Sequence, residues 1–120
     1  MAQDFQELNV WNRAMELTET VYELTKLFPP DERFGLTSQL RRACVSIASN
    51  IAEGRGRGSD RDFRHFLNIA QGSTFEVRTQ LLLAIRLKIG PDAELHKAEL
   101  LCVEVSRMLA AFIQSLTPQP

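Results

Sequence analysis

The sequence predicts an all-α protein, an antiparallel up-down four-helix bundle. Apolar residues recur three and four apart along nearly the whole chain, and no stretch alternates with the two-residue period of a strand. Pro29-Pro30, the glycine-rich run from Gly54 to Gly58 and Gly90-Pro91 divide that pattern into four segments, because glycine and proline punctuate helices. The second and third breaks are short, which makes the helices they join antiparallel neighbours. With 120 residues, 44% of them hydrophobic and 24% charged, the chain can bury one core. It reads as a single domain over residues 1–120 and not as a disordered segment.

Helix one is expected from residue 10 to about residue 28, with Asn9 as its N-cap. Val10, Ala14, Leu17, Val21, Leu24 and Phe28 share its buried face. Pro29 stops it, since proline lacks a donor and restricts the residue before it. A second stripe, Trp11, Met15, Thr18 and Tyr22, lies about a quarter-turn away at the helical step. It suits a widened core face and a subunit contact equally.

The stretch from Phe34 to Arg57, FGLTSQLRRACVSIASNIAEGRGR, holds helix two and carries more than one patterned face. At about 100° per residue, Leu36, Leu40, Ala43, Ile47 and Ile51 form a narrow apolar stripe. Gln39, Arg42, Ser46, Ser49 and Glu53 make a polar stripe on one flank, and Cys44, Ala48 and Ala52 line the other with small side chains. Such a helix is built to touch neighbours on more than one side. Asn50 falls at the edge of the apolar stripe, where an unpaired amide would cost about 1–3 kcal/mol. It is therefore expected to bond a neighbouring helix or the chain near the first connection. Glu53, close to it on the wheel, is expected to partner Arg42, Arg57 or the backbone of another helix. Ser46, Asn50 and Glu53 together read as a structural polar network, set against a ligand or partner contact. Val45 points almost opposite the core.

Helix three is expected from residue 60 to about residue 88, roughly 40 Å at the standard rise. Ser59 caps it, with Asp62 at the capping-box position. Phe63, Phe66, Leu67, Ala70, Thr74, Val77, Leu81, Ala84 and Ile85 keep one face. Ile69, Phe75, Leu82 and Leu83 lie off it, more large apolar side chains than scattered exposure explains. With Val45 they form the expected oligomer interface. Gly72, in mid-helix, costs about 1 kcal/mol relative to alanine and is read as a close helix approach or a bend. Gly90 then serves as C-cap and Pro91 as a first-turn proline. Helix four runs from residue 91 to about residue 116 and buries Leu95, Ala98, Cys102, Val105, Leu109, Phe112 and Leu116, and the TPQP tail frays.

The formal net charge is -1, yet the charge is unevenly spread: residues 1–32 carry seven acids and two bases, residues 33–64 seven arginines and three acids. Arg55, Arg57, Arg61 and Arg64 cluster around the glycine turn, with Arg41 and Arg42 further back on helix two. The free amides at the start of helix three add partial positive charge, and phosphates suit such a place. These six arginines are the candidate nucleic-acid-binding residues, set against the ordinary reading of a solvated turn. No strand precedes the turn, so it is neither a Walker loop nor a dinucleotide fingerprint. Cys44 and Cys102 fall on apolar helix positions and read as buried free thiols in a reducing cytoplasm. No apolar run approaches the roughly 20 residues that span a bilayer. The opening MAQDFQELNVW has no basic region before an apolar stretch, so no signal peptide and no membrane partner are expected.

Catalysis is not expected. The carboxylates sit mostly on solvated faces, with no close pair forced into an apolar pocket as acid–base work requires. His65 and His96 lack Cys or His partners at ligand spacing, so no metal and no cofactor is expected. No nucleophilic serine motif occurs. The arginine–histidine spacing of helical-bundle ribonucleases is not met either: three residues separate Arg61 from His65, and seven separate Arg57 from His65.

VWNRAMELT, then TKLFPPDERFGLTSQLRRACVSIASNIAEG, then RDFRHFLNIAQGSTFEVRTQL resemble the four-helix-bundle proteins encoded in intervening sequences of bacterial 23S ribosomal RNA genes. The resemblance covers almost the whole chain. Its most specific part combines FGL-SQ-RRA, SI-NIAEG and the later F-FL-IA-GS-E-QL. Leu40, Arg41, Arg42 and Ala43, with Ser46, Ile47, Asn50, Ile51, Glu53 and Gly54, match the pattern. The resemblance implies a ring-like homopentamer of four-helix protomers. The accessory variability proteins of diversity-generating retroelements look similar in fold. They are basic and bind nucleic acid and a reverse transcriptase, whereas this chain is slightly acidic.

Two functional readings follow. In one, a non-enzymatic homo-oligomer presents Arg41, Arg42, Arg55, Arg57, Arg61 and Arg64 as a repeated basic collar to RNA or DNA, weak patches adding by avidity. In the other, the oligomer is a scaffold that binds a protein partner and no nucleic acid.

Overall fold

The chain opens with a short 3-10 turn, Phe5–Glu7, capped by Asp4, whose Oδ1 accepts from the amide of Gln6 at 2.8 Å. Helix α1 then runs Asn9–Thr25, α2 Leu36–Arg55, α3 Asp60–Leu87 and α4 Asp92–Leu116, with a second 3-10 turn, Pro30–Glu32, between α1 and α2. This is a computed structural model, and it describes residues 4–120. Among the described residues there is no strand. Each helix packs against its neighbours in sequence and α1 closes on α4, giving the antiparallel up-down bundle the periodicity predicts, 47 Å long and 24 by 20 Å across.

Every position assigned to the core face of helix one, from Val10 to Phe28, is buried. So are the apolar stripe of α2, Phe63 to Ala84 at core spacing on α3, and Leu95 to Leu109 on α4. Leu17, Leu40, Ile47, Leu67, Leu81 and Leu109 are completely shielded, each worth about 1.5–3 kcal/mol in transfer terms. Phe66, Ile85, Phe112 and Leu116 are half-buried. The Trp11 stripe is split: Trp11 and Met15 pack against the core, with Phe5 meeting Trp11 edge-on at 5.2 Å, whereas Tyr22 is exposed.

The helix ends differ from the sequence reading in informative ways. Asn9 is not the cap of α1. Leu8 holds that position without a side-chain bond, and Asn12 ties the turn instead by donating to the carbonyls of Gln6 at 2.8 Å and Leu8 at 3.1 Å. At the other end α1 stops at Thr25, and Leu27 and Phe28 continue in three-residue turns, their amides bonding Leu24 and Thr25. That tightening swings Phe28 into the core ahead of Pro29. Helix α2 begins at Leu36, not Phe34, because Glu32 Oε1 reaches forward to accept from the amide of Leu36 at 3.1 Å. Helix α3 is closed by Lys88 in the left-handed region (φ 57). Gly90, the expected cap, has another duty. At its φ of 84 a Cβ would lie 2.7 Å from the Phe28 ring, so only glycine lets that ring cover the end of the bundle. Pro91 is the N-cap of α4, not its first-turn residue.

Within the chain the close helix approach is at Gly54 and not at Gly72, where the sequence reads as an approach or a bend. Helix α2 keeps Gly54 and Arg55 inside its last turn, and Gly54 is buried against α3. A Cβ there would lie 2.6 Å from Phe66 Cβ and 3.1 Å from Phe63 Cδ1, whereas one at Gly72 would meet nothing within 4 Å.

Cys44 and Cys102 are both free and buried, and Cys102 Sγ donates to the carbonyl of Thr74 at 3.3 Å. Burial pushes the Cys102 thiol up to about 12 from its ordinary 9.0, and the Cys44 thiol also goes up, chiefly through burial. Below pH 9 folded and unfolded chains both keep these protons. Above it the unfolded chain releases protons that the folded chain retains, so stability falls as pH rises. The expected loss is about 1.4 kcal/mol per thiol between pH 8 and pH 10. Urea titrations of the wild type against a Cys44→Ala/Cys102→Ala double variant measure it. The variant should show a correspondingly flatter decline, and equal slopes would refute the assignment.

Candidate nucleic-acid interface

The turn between α2 and α3 is where the sequence concentrates arginine, and the structure organises it on two phenyl rings. Because Gly54 brings the helices together, Phe63 and Phe66 of the first turns of α3 lie under the end of α2. The Arg55 guanidinium sits 5.7 Å from the Phe63 ring centroid and that of Arg57 4.9 Å from Phe66. Cation–π contact of this kind helps hold a guanidinium in place. Arg57 Nη2 also donates to Glu53 at 3.1 Å, one of the pairings foreseen for Glu53. Gly58 takes φ 86 and hands the chain to Ser59, whose Oγ accepts from the amide of Asp62 at 3.1 Å, as the capping pattern predicts. Asp60 and Asp62 sit in that first turn and offset part of the positive end of the α3 dipole. Arg61 is exposed. Arg64 turns away and donates to the carbonyl of Leu116 at 2.7 Å, fastening the end of α4 to the start of α3.

The six arginines form two groups. Arg41 is fourteen residues before Arg55 on the same helix, about 21 Å along its axis. There it stacks 4.6 Å from the Tyr22 ring and donates to Thr25 Oγ1 at 2.8 Å and the Tyr22 carbonyl at 3.3 Å. Its work is to join α2 to the end of α1. Arg42 is exposed beside a polar groove between α2 and α3, shared with Gln39, Ser46, Ser73 and Glu76. Across that seam Gln80 Nε2 donates to Gln39 Oε1 at 3.2 Å, and along α3 itself it donates to Glu76 Oε2 at 3.3 Å. Asn50 does not reach another helix directly. Its Nδ2 donates to the Ser46 carbonyl at 2.8 Å and to Ser46 Oγ at 3.0 Å, and Ser46 Oγ bonds Ser73 Oγ of α3 at 2.9 Å. Ser46 is therefore the link, and Glu53 belongs with Arg57.

Val45, Ile69, Phe75, Leu82 and Leu83 are all exposed, between 40% and 54%. On α3 Gly72 and Thr79 lie opposite the core stripe, with Phe75 and Leu82 on one flank of that line and Leu83 and Ile69 on the other. Among the described residues no three His, Cys, Asp or Glu side chains come together as a metal-ligand set, and no helix is long and apolar enough to cross a membrane.

An antiparallel helical bundle with a basic, ring-backed turn at one end and an apolar outward helix face is the class of protein that these features define. The chain belongs to the 23S rRNA-intervening sequence protein family, whose model matches residues 6–111. It is similar to a protein of unknown function from the S23 ribosomal protein family of Bacteroides thetaiotaomicron. The two share 26% identity over 88% of this chain and 98% of that one, with a TM-score of 0.80. No curated protein matches the chain.

Proposed function

We propose that the protein is a non-enzymatic homo-oligomer of four-helix protomers that docks copies through the outward face of α3 and presents the α2–α3 turns as a repeated basic collar to RNA or DNA. The observation that carries the oligomer is Gly72. It spends about 1 kcal/mol of helix propensity with no neighbour in its own chain, between large exposed apolar side chains. A second helix lying across that face would use the missing side chain for close approach. Five copies is the stoichiometry that the sequence resemblance implies. The collar is suggested by the sequence resemblance, through which the nucleic-acid-binding accessory proteins of diversity-generating retroelements look similar in fold. Two buried free thiols suit a reducing cytoplasm.

The collar is tested by titrating a structured RNA and a DNA duplex at several salt concentrations. Neutralised phosphates release counterions, so affinity should fall with a slope of roughly -0.7 to -0.9 per phosphate contact on a double-logarithmic plot. Arg57→Ala with Arg61→Ala should lower that slope by about 1.5, whereas Arg41→Ala should leave it unchanged. Absence of binding at low salt would remove the collar. The second reading, a scaffold that binds protein only, would then stand on the exposed apolar face and the net charge of -1.

A further inference from the structure

The seam between α1 and α4 is the sparsest of the four that close the bundle, and a groove opens along it. Two hollows of about 480 and 490 Å³ share Glu19, Thr20 and Lys97 and so form one trough. From Arg13 it follows α1 to its end at Thr25, about 18 Å, and continues to Leu27 in the turn beyond. Its apolar floor carries the two most exposed leucines among the described residues, Leu100 at 69% and Leu27 at 63%, beside Leu24 and Leu101. Neither exposed leucine is on the outward face of α3, so the interface proposed above is built from other residues.

The walls are acidic on both sides. Glu16, Glu19 and Glu23 line the α1 wall, and Glu94 and Glu104 the α4 wall. Of the three cations present, Arg13 is held by Glu16 and, at 2.9 Å, by Glu104, and Lys26 by Glu23 at 3.1 Å. Lys97 stands between the hollows. Five carboxylates to three cations leave an excess of two. Glu19 and Glu94 have no partner among the described residues, and they face the trough from opposite walls. Such a surface repels phosphate and attracts cations. An elongated apolar floor between charged walls is the geometry that takes the apolar face of an amphipathic helix.

We propose that this trough is a docking site for a basic amphipathic helix of a partner protein. Leucine-type side chains spaced three and four apart would cover Leu27 and Leu100, and flanking Lys or Arg would pair with Glu19 and Glu94. The site is independent of the arginine collar and of the outward face of α3.

The test uses the full chain and two fluorescent synthetic peptides of about 14 residues, enough for four turns. Both carry leucines at helical spacing, one with lysine and the other with glutamate at the flanking positions. Anisotropy at low salt should show the lysine peptide binding at least about tenfold more tightly than the glutamate peptide, a difference that shrinks as salt is raised. Leu27→Ser with Leu100→Ser should weaken the lysine peptide at least about tenfold without changing helix content, since both side chains face water. Glu19→Lys with Glu94→Lys should reverse the preference between peptides. Equal binding of the two peptides, binding of neither, or indifference to these substitutions overturns the proposal. So does a fall in the solution mass of the protein itself on Leu100→Ser, which would make a second copy the occupant.

Discussion

Leu82→Glu is expected to dissociate the assembled protein into monomers while leaving its helix content intact. Within one chain Leu82 is 41% exposed, so a carboxylate there meets water, and the fold should change by no more than about 0.5 kcal/mol. In a subunit contact the same carboxylate must be desolvated against an apolar surface of the neighbouring subunit. An unpaired polar group in such a place costs several kcal/mol, and each 1.4 kcal/mol is about tenfold in association. In the closed ring proposed above, the substitution would act at every interface and its effect would be compounded. Light scattering or sedimentation, read beside circular dichroism, separates loss of assembly from loss of fold. Gly72→Ala is the complementary probe. On an isolated helix it adds about 1 kcal/mol of stability, and at a close contact it should instead weaken assembly. A wild-type protein that is monomeric at micromolar concentration would contradict the oligomer outright.

Gly54→Leu is expected to destabilise the protein by about 3–5 kcal/mol, enough to leave much of it unfolded. A Cβ at this position already lies 2.6 Å from Phe66 Cβ and 3.3 Å from the Phe63 carbonyl oxygen. Neither atom is the free end of a flexible side chain, so α2 and α3 would have to separate over their most extensively packed seam. Gly54→Ala should be milder but still unfavourable, although alanine is the better helix former by about 1 kcal/mol. Urea or thermal unfolding reads both. A stabilised Gly54→Ala variant would show that the two helices have slack there.

The helical pattern carried most of the architecture. A stripe such as Leu36, Leu40, Ala43, Ile47 and Ile51 can be buried in only one way once four such helices are joined by short turns. Outward residues were legible by the same periodicity, which is why Phe75 and Leu82 could be placed before any coordinates. Helix ends were less so. Asn9 has the right chemistry for a cap but lies one residue too far along, and Leu8 is fixed there by the preceding turn at Asp4. The arginines show a different limit. Sequence distance placed Arg55, Arg57, Arg61 and Arg64 together, but it carried no sign that Arg64 would bond the far end of α4 or that Arg41 would be absorbed by Tyr22 and Thr25. Such partners come from other helices. The two glycines were ambiguous for the same reason: Gly54 and Gly72 both sit in helices, and only the neighbouring helix tells which is crowded. The α1–α4 trough had no signal in one-dimensional form, because its acids and leucines look like ordinary solvated positions on each helix alone.

The guanidinium groups resting on Phe63 and Phe66 have a kinetic and entropic side. A long cationic side chain that waves in solvent must surrender its rotamers when it grips an anion, at about 0.5–1.5 kcal/mol each. Arg55 and Arg57 have given up much of that freedom already, in the act of folding. In the collar proposed above, a phosphate would meet cations whose posture is partly set beforehand, which lowers the ordering cost of contact.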